Sequence, residues 1–132
     1  MANRKFLSLI TRNVGGLLLV LAMSQNIPES DWKLFRQLHP IALGCYCQQV
    51  LDEIAQSVAD TEETPHERYL KIYQVVQQRD RTISEAFNDL QRSTAIMQLL
   101  TIYSHGLITE DEIGRFTQDT RDMISRYSGQ RA

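Results

Sequence analysis

From Ser30 onward the apolar positions recur at helical spacing, never in sustained alternation. Leu43, Cys47, Val50, Leu51, Ile54 and Val58 form a stripe opposite Gln48, Gln49, Asp52, Glu53 and Gln56, which predicts a helix from Ile41 to Ala59. Pro40 lacks an amide proton and drives His39 out of the α region, so a separate first helix is expected over Asp31–Leu38, opened by Ser30. A further stripe, Tyr69, Ile72, Tyr73 and Val76, follows Thr64-Pro65-His66-Glu67. There the threonine hydroxyl can accept an orphan backbone N–H while the glutamate reaches back to the cap, and Pro suits the first helical position.

The same box recurs at Thr82-Ile83-Ser84-Glu85 and at Thr109-Glu110-Asp111-Glu112. The first predicts a short helix over Ile83–Leu90, with Ile83, Phe87 and Leu90 on one face; the second opens a short helix bearing Ile113 and Phe116. Between them, Ile96, Met97, Leu99, Leu100, Ile102 and Tyr103 cover much of a helix over Thr94–His105, which should be central. Gly106 suits the left-handed residue after that helix, with His105 in its last turn. Thr117 should cap a last helix carrying Met123, Ile124 and Tyr127. The expected fold is all-α: one compact domain over residues 30–127, built from about six or seven short helices in irregular, orthogonal packing. Residues 23–29 read as a polar lead and 128–132 as a frayed tail.

The first 22 residues differ in chemistry. They carry Arg4, Lys5 and Arg12 and no acid, leaving 11 basic against 16 acidic residues for the remainder. Val14–Met23 is an unbroken apolar run of ten, short of the roughly 20 residues a membrane span needs. Three readings fit: a secretory signal cleaved near Ala22 or Ser24, a biological start at Met23, or an apolar helix packed on the domain. The first implies a periplasmic or secreted protein, the second a cytoplasmic one. Membrane attachment is expected only if residues 1–22 are retained.

At 132 residues the chain has room for one domain, and 42% hydrophobic residues suffice for a core. The near-neutral total, with acids set among bases in Arg79-Asp80-Arg81 and Arg121-Asp122, argues against nucleic-acid binding. Cys45 and Cys47 lie two apart, so on a helix their thiols point about 200° from each other and cannot face one ion. Cys47 is expected in the core, and no metal or other cofactor is expected. His39, His66 and His105 each have a local explanation at a turn or helix end, and no Ser or Cys sits in a nucleophile motif. Asp52/Glu53 and Asp111/Glu112 suit solvated faces and helix first turns better than acid–base pairs. Gly15-Gly16 lacks the Gly-Lys-Ser/Thr of a phosphate loop.

No catalytic residue is therefore assigned, and the expected function is a non-enzymatic protein-interaction or regulatory module with a protein partner. The alternatives are a secreted or membrane-tethered accessory protein and a small enzyme with a non-local site. Trp32, Phe35 and Arg36 are the candidate contact residues, since Trp32 and Phe35 are three apart and share a helix face. The broad Met/Tyr/Leu helix serves equally as a monomer's centre or as a homodimer seam.

Asp31-Trp32-Lys33-Leu34-Phe35-Arg36, Pro40, Arg92-Ser93 and the closing Gly106-Leu107-Ile108-Thr109-Glu110-Asp111-Glu112-Ile113 with Phe116-Thr117 resemble a group of small all-helical bacterial proteins. Those proteins share a W-K-x-x-R opening, a Pro, and a G-x-I-T-x-x-[DE]-[LI]-x-x-F-[ST] closing segment. The resemblance spans residues 30–127, implies an all-helical fold and implies no activity. Its pattern begins close to Trp32, which favours Met23 as the start.

Overall fold

The structure, a computed structural model, describes residues 26–128. The expectations for residues 1–22, for residues 23–25 of the expected lead and for most of the 128–132 tail lie outside the described residues. Among the described residues there are five α-helices, one 3-10 turn and no strand, so the chain is all-α with fewer and longer helices than the spacing predicts. The helices are α1 (Glu29–Ala59), α2 (Pro65–Phe87), α3 (Ala95–Ser104), α4 (Glu110–Ile113) and α5 (Gln118–Ser128), with the 3-10 turn at Arg92–Thr94.

Two expected breaks are absent. Helix α1 runs through Pro40, and His39 is helical. The buried positions Asp31, Leu34, Phe35, Leu38, Ala42 and Tyr46 keep one register across the proline, so tertiary packing holds both halves in line. Pro40 is exposed, as is Arg36, whose carbonyl loses its helical donor to the ring. The Thr82 box is likewise overridden: Thr82 lies inside α2, which continues to Phe87 because Ala86 and Phe87 must reach the core.

The other two boxes form. Glu67 N–H donates to Thr64 Oγ1 at 3.2 Å and Thr64 N–H to Glu67 Oε2 at 2.8 Å, starting α2. Glu112 N–H donates to Thr109 Oγ1 at 3.2 Å and Thr109 N–H to Glu112 Oε2 at 3.1 Å, starting α4. Helix α3 ends as expected at Gly106, whose φ of 69° would strain any other residue. Gly106 N–H donates to Tyr103 O and Leu107 N–H to Ile102 O, a Schellman closure with Leu107 and Ile102 both buried.

The core lies at one end of the molecule. Helix α3 occupies its centre, with Ala95, Ile96, Leu99 and Ile102 almost wholly buried, and packs against α1, α2 and α5. Phe35 and Leu38 of α1, Phe87 of α2, Ile108, Phe116 and Ile124 are among the residues packed around it. Helix α1 already begins at Glu29, and Ile27, expected in a polar lead ahead of the domain, is instead a core residue. Its carbonyl accepts from Arg92 Nε at 3.0 Å and Nη2 at 2.8 Å, while Arg92 Nη1 donates to Glu29 Oε2 at 2.8 Å. One arginine thus pins the start of α1 to the turn before α3.

A two-faced helical arm as candidate interaction surface

Beyond Val50 on α1 and before Ile83 on α2, the two helices leave the core and run antiparallel as an arm closed by the loop at 60–64. At its tip Arg68 donates to the Val58 carbonyl, satisfying one of the unpaired acceptors at the end of α1. Midway, Arg79 Nε and Nη2 donate to Glu53 Oε2 and Oε1 at 3.1 and 3.2 Å, a bidentate pair. The Glu53 carboxylate holds the Arg79 guanidinium above its ordinary range, with burial opposing. The seam itself consists of Tyr46, Val50, Glu53 and Ser57 on α1 and Ile72, Val75 and Arg79 on α2.

The two sides of this seam differ. At about 100° per residue, Gln49, Asp52 and Gln56 fall on one side of α1, and Lys71 and Gln78 on the matching side of α2. A shallow groove of about 320 Å³ lined by Glu53, Gln56, Ser57, Asp60, Lys71 and Val75 marks this polar side. A second groove of about 210 Å³ continues it toward the core, past Tyr46, Gln49, Val50, Glu53, Arg79 and His105.

On the opposite side, Cys47, Leu51, Ile54 and Val58 of α1 stand beside Tyr69, Tyr73 and Val76 of α2. These side chains form an apolar face with nothing packed over it among the described residues: Leu51 is 57% exposed, Val58 55%, Tyr69 64%, Tyr73 53% and Val76 46%. The sequence-predicted stripes are therefore rotated. Inward burial falls on Tyr46, Ser57, Ile72 and Val75, while Leu51, Val58, Tyr69 and Tyr73 face outward. The missed signal is a surplus of apolar positions: Leu70 and Val75, with the predicted stripe, spread over more of α2 than one helix contact covers.

The three candidate contact residues separate. Phe35 is fully buried at 0% exposure, between Trp32 and His39. Trp32 is half-buried against the core, and the Arg36 guanidinium lies 5.8 Å from its ring centroid, a cation–π contact at the surface. Any contact at this turn falls to Trp32 and Arg36.

The groups considered for chemistry are scattered. His39 Nε2 lies 2.9 Å from the Phe87 carbonyl, with its ring edge-on to Phe35 and Phe87, so it is a packing residue in mid-helix and not a turn residue. His66 is exposed in the first turn of α2, and His105 caps α3 with its ring 6.0 Å from that of Tyr46. Cys45 is exposed and Cys47 half-buried, both free thiols, so Cys47 belongs to the outer face and not to the core. Among the described residues no three His, Cys, Asp or Glu side chains are grouped to hold a metal ion. No helix among them is long and apolar enough to cross a membrane. No family model, curated protein or solved structure matches the chain.

Proposed function

We propose that this chain is a non-enzymatic interaction module that docks a protein partner on the apolar face of its α1–α2 arm. The supporting observation is the row of half-exposed Leu51, Val58, Tyr69, Tyr73 and Val76 on one side of a helical pair whose other side is polar. Contiguous apolar surface of this kind on a water-facing helix is costly to leave bare, and tyrosines are favoured where an interface is anchored. Trp32 and Arg36 extend the accessible surface at the first turns of α1 without belonging to this face.

Site-specific photocross-linking in the producing cell tests the proposal. A benzophenone side chain at position 73 or 51 is expected to trap a protein adduct of defined mass, and the same probe at position 78, on the polar side, to trap none. Absence of adducts at both 73 and 51 overturns it.

A further inference from the structure

The arm is thin. Between Tyr46 and the loop at 60–64, only Ser57 is fully buried; Val50, at the edge of the core, and Ile54, Ile72 and Val75 are half-buried near the Glu53–Arg79 pair. Helices of this length are held in water mainly by burial of an apolar face, and this seam offers little of it. The apolar surface that could supply more lies on the outer face, where a second pair of helices would complete a four-helix arrangement with an apolar centre.

We infer that this second pair is the arm of a second copy of the chain, packed face to face about a two-fold axis near Ile54 and Tyr73. The inference rests on the docking role proposed above and names its partner. The half-exposed Leu, Val and Tyr side chains of the face offer roughly 600 Å² per copy, about 1,200 Å² for a pair, at the lower edge of specific interfaces. That area fits a reversible dimer. Between Cys47 and Val58 on α1 and between Tyr69 and Gln77 on α2, the outward positions carry no Lys, Arg, Asp or Glu. The face can therefore meet itself without like-charge repulsion or a desolvated ion. Asp80 stands at its core end and His66 at its tip. A parallel pairing would bring both Asp80 carboxylates to the same end of the apolar centre, diagonally across it, whereas an antiparallel one turns each toward the partner's tip, so the arms run antiparallel. Such a contact is isologous, with the same patch on both copies, and closes at two.

Sedimentation equilibrium of the full chain from low-micromolar to hundred-micromolar concentration tests this. The apparent mass is expected to climb from one chain to two and stop there. Tyr73→Glu, which sets like charges close to the axis, is expected to raise the dissociation constant at least tenfold with unchanged far-UV circular dichroism; Gln78→Glu on the polar side should leave it alone. Leu51→Lys gives an independent check at a position that is also exposed in the monomer. A chain that stays monomeric throughout, or a dimer indifferent to both Tyr73→Glu and Leu51→Lys, overturns the inference. The cross-linking experiment separates the two levels. Adducts of twice the chain mass support the second copy, adducts with another protein overturn it while the docking role stands, and no adducts overturn both.

Discussion

Asp31 ties the first helix to the last. Although it is only 1% exposed, its carboxylate accepts three hydrogen bonds: from Thr117 N–H at 2.9 Å, Thr117 Oγ1 at 2.6 Å and Thr120 Oγ1 at 2.6 Å. The start of α5 is thus capped by a side chain 86 residues earlier in the chain. Thr117, the expected cap, spends its hydroxyl proton on Asp31. Replacing Asp31 with Ala would strand the buried Thr120 hydroxyl and two part-buried donors of Thr117, so Asp31→Ala is expected to lower unfolding free energy by about 3 kcal/mol. Asp31→Asn, which keeps one acceptor oxygen, should lose roughly half as much by the same reasoning. Urea titration followed by circular dichroism measures both; equal stability of wild type and Asp31→Ala would refute the tie. Tyr103 makes a second contact with a measurable signature. Its hydroxyl donates to Glu110 Oε1 at 2.5 Å, and that hydrogen bond, with burial adding to it, raises the phenol above its ordinary 10.0. A raised folded-state value means the contact contributes fully below the unfolded phenol's titration and is lost as pH climbs through the folded one. Glu110→Gln is therefore expected to move part of the tyrosinate absorbance to lower pH, and an unchanged alkaline titration would count against the contact.

At the scale of elements, the chain obeyed its local signals where nothing opposed them and ignored them where the core did. Thr64 and Thr109 cap helices because the chain turns just before each; Thr82 carries the same four-residue signature and lies in mid-helix. Thr64→Ala and Thr109→Ala should each lower stability by about 1 kcal/mol, while Thr82→Ala should change it by less than roughly 0.5 kcal/mol. Pro40 makes the same distinction. Local stereochemistry favours a break, yet Leu38 and Ala42 on either side occupy successive positions of one buried stripe. That continuity was legible in the spacing of Leu34, Leu38, Ala42 and Tyr46, but a local breaker and a tertiary stripe cannot be ranked without knowing what the stripe meets. Pro40→Ala restores a backbone hydrogen bond within a helix that is already continuous. Thermal melts should show a gain of about 1–2 kcal/mol, and a loss would mean that the packing needs the proline's geometry.

The molecule as a whole divides into a dense end around α3 and an arm held by a few half-buried side chains. Helical spacing made the all-α class and the central place of α3 legible, because Ile96, Leu99 and Ile102 leave no wide polar side for water. The candidate surface was not legible, since periodicity reveals that a stripe exists but not whether the fold brings anything to cover it. Tyr69 and Phe35 look alike in sequence, as aromatics on an apolar helical stripe; one is 64% exposed and the other 0%. The division has a dynamic consequence. Amides of residues 51–57 and 68–80 are expected to open without disrupting the core and to exchange with solvent through local fluctuations, whereas those of 34–46 and 96–104 should exchange only on global unfolding. If two arms pair through their outer faces, the arm amides alone should slow as protein concentration rises, because each opening must then also break the dimer. Hydrogen exchange read by mass spectrometry at two concentrations resolves the two segments. Uniform protection along α1 would mean that the arm belongs to the cooperative core after all, and would remove the physical reason for a second layer to form on it.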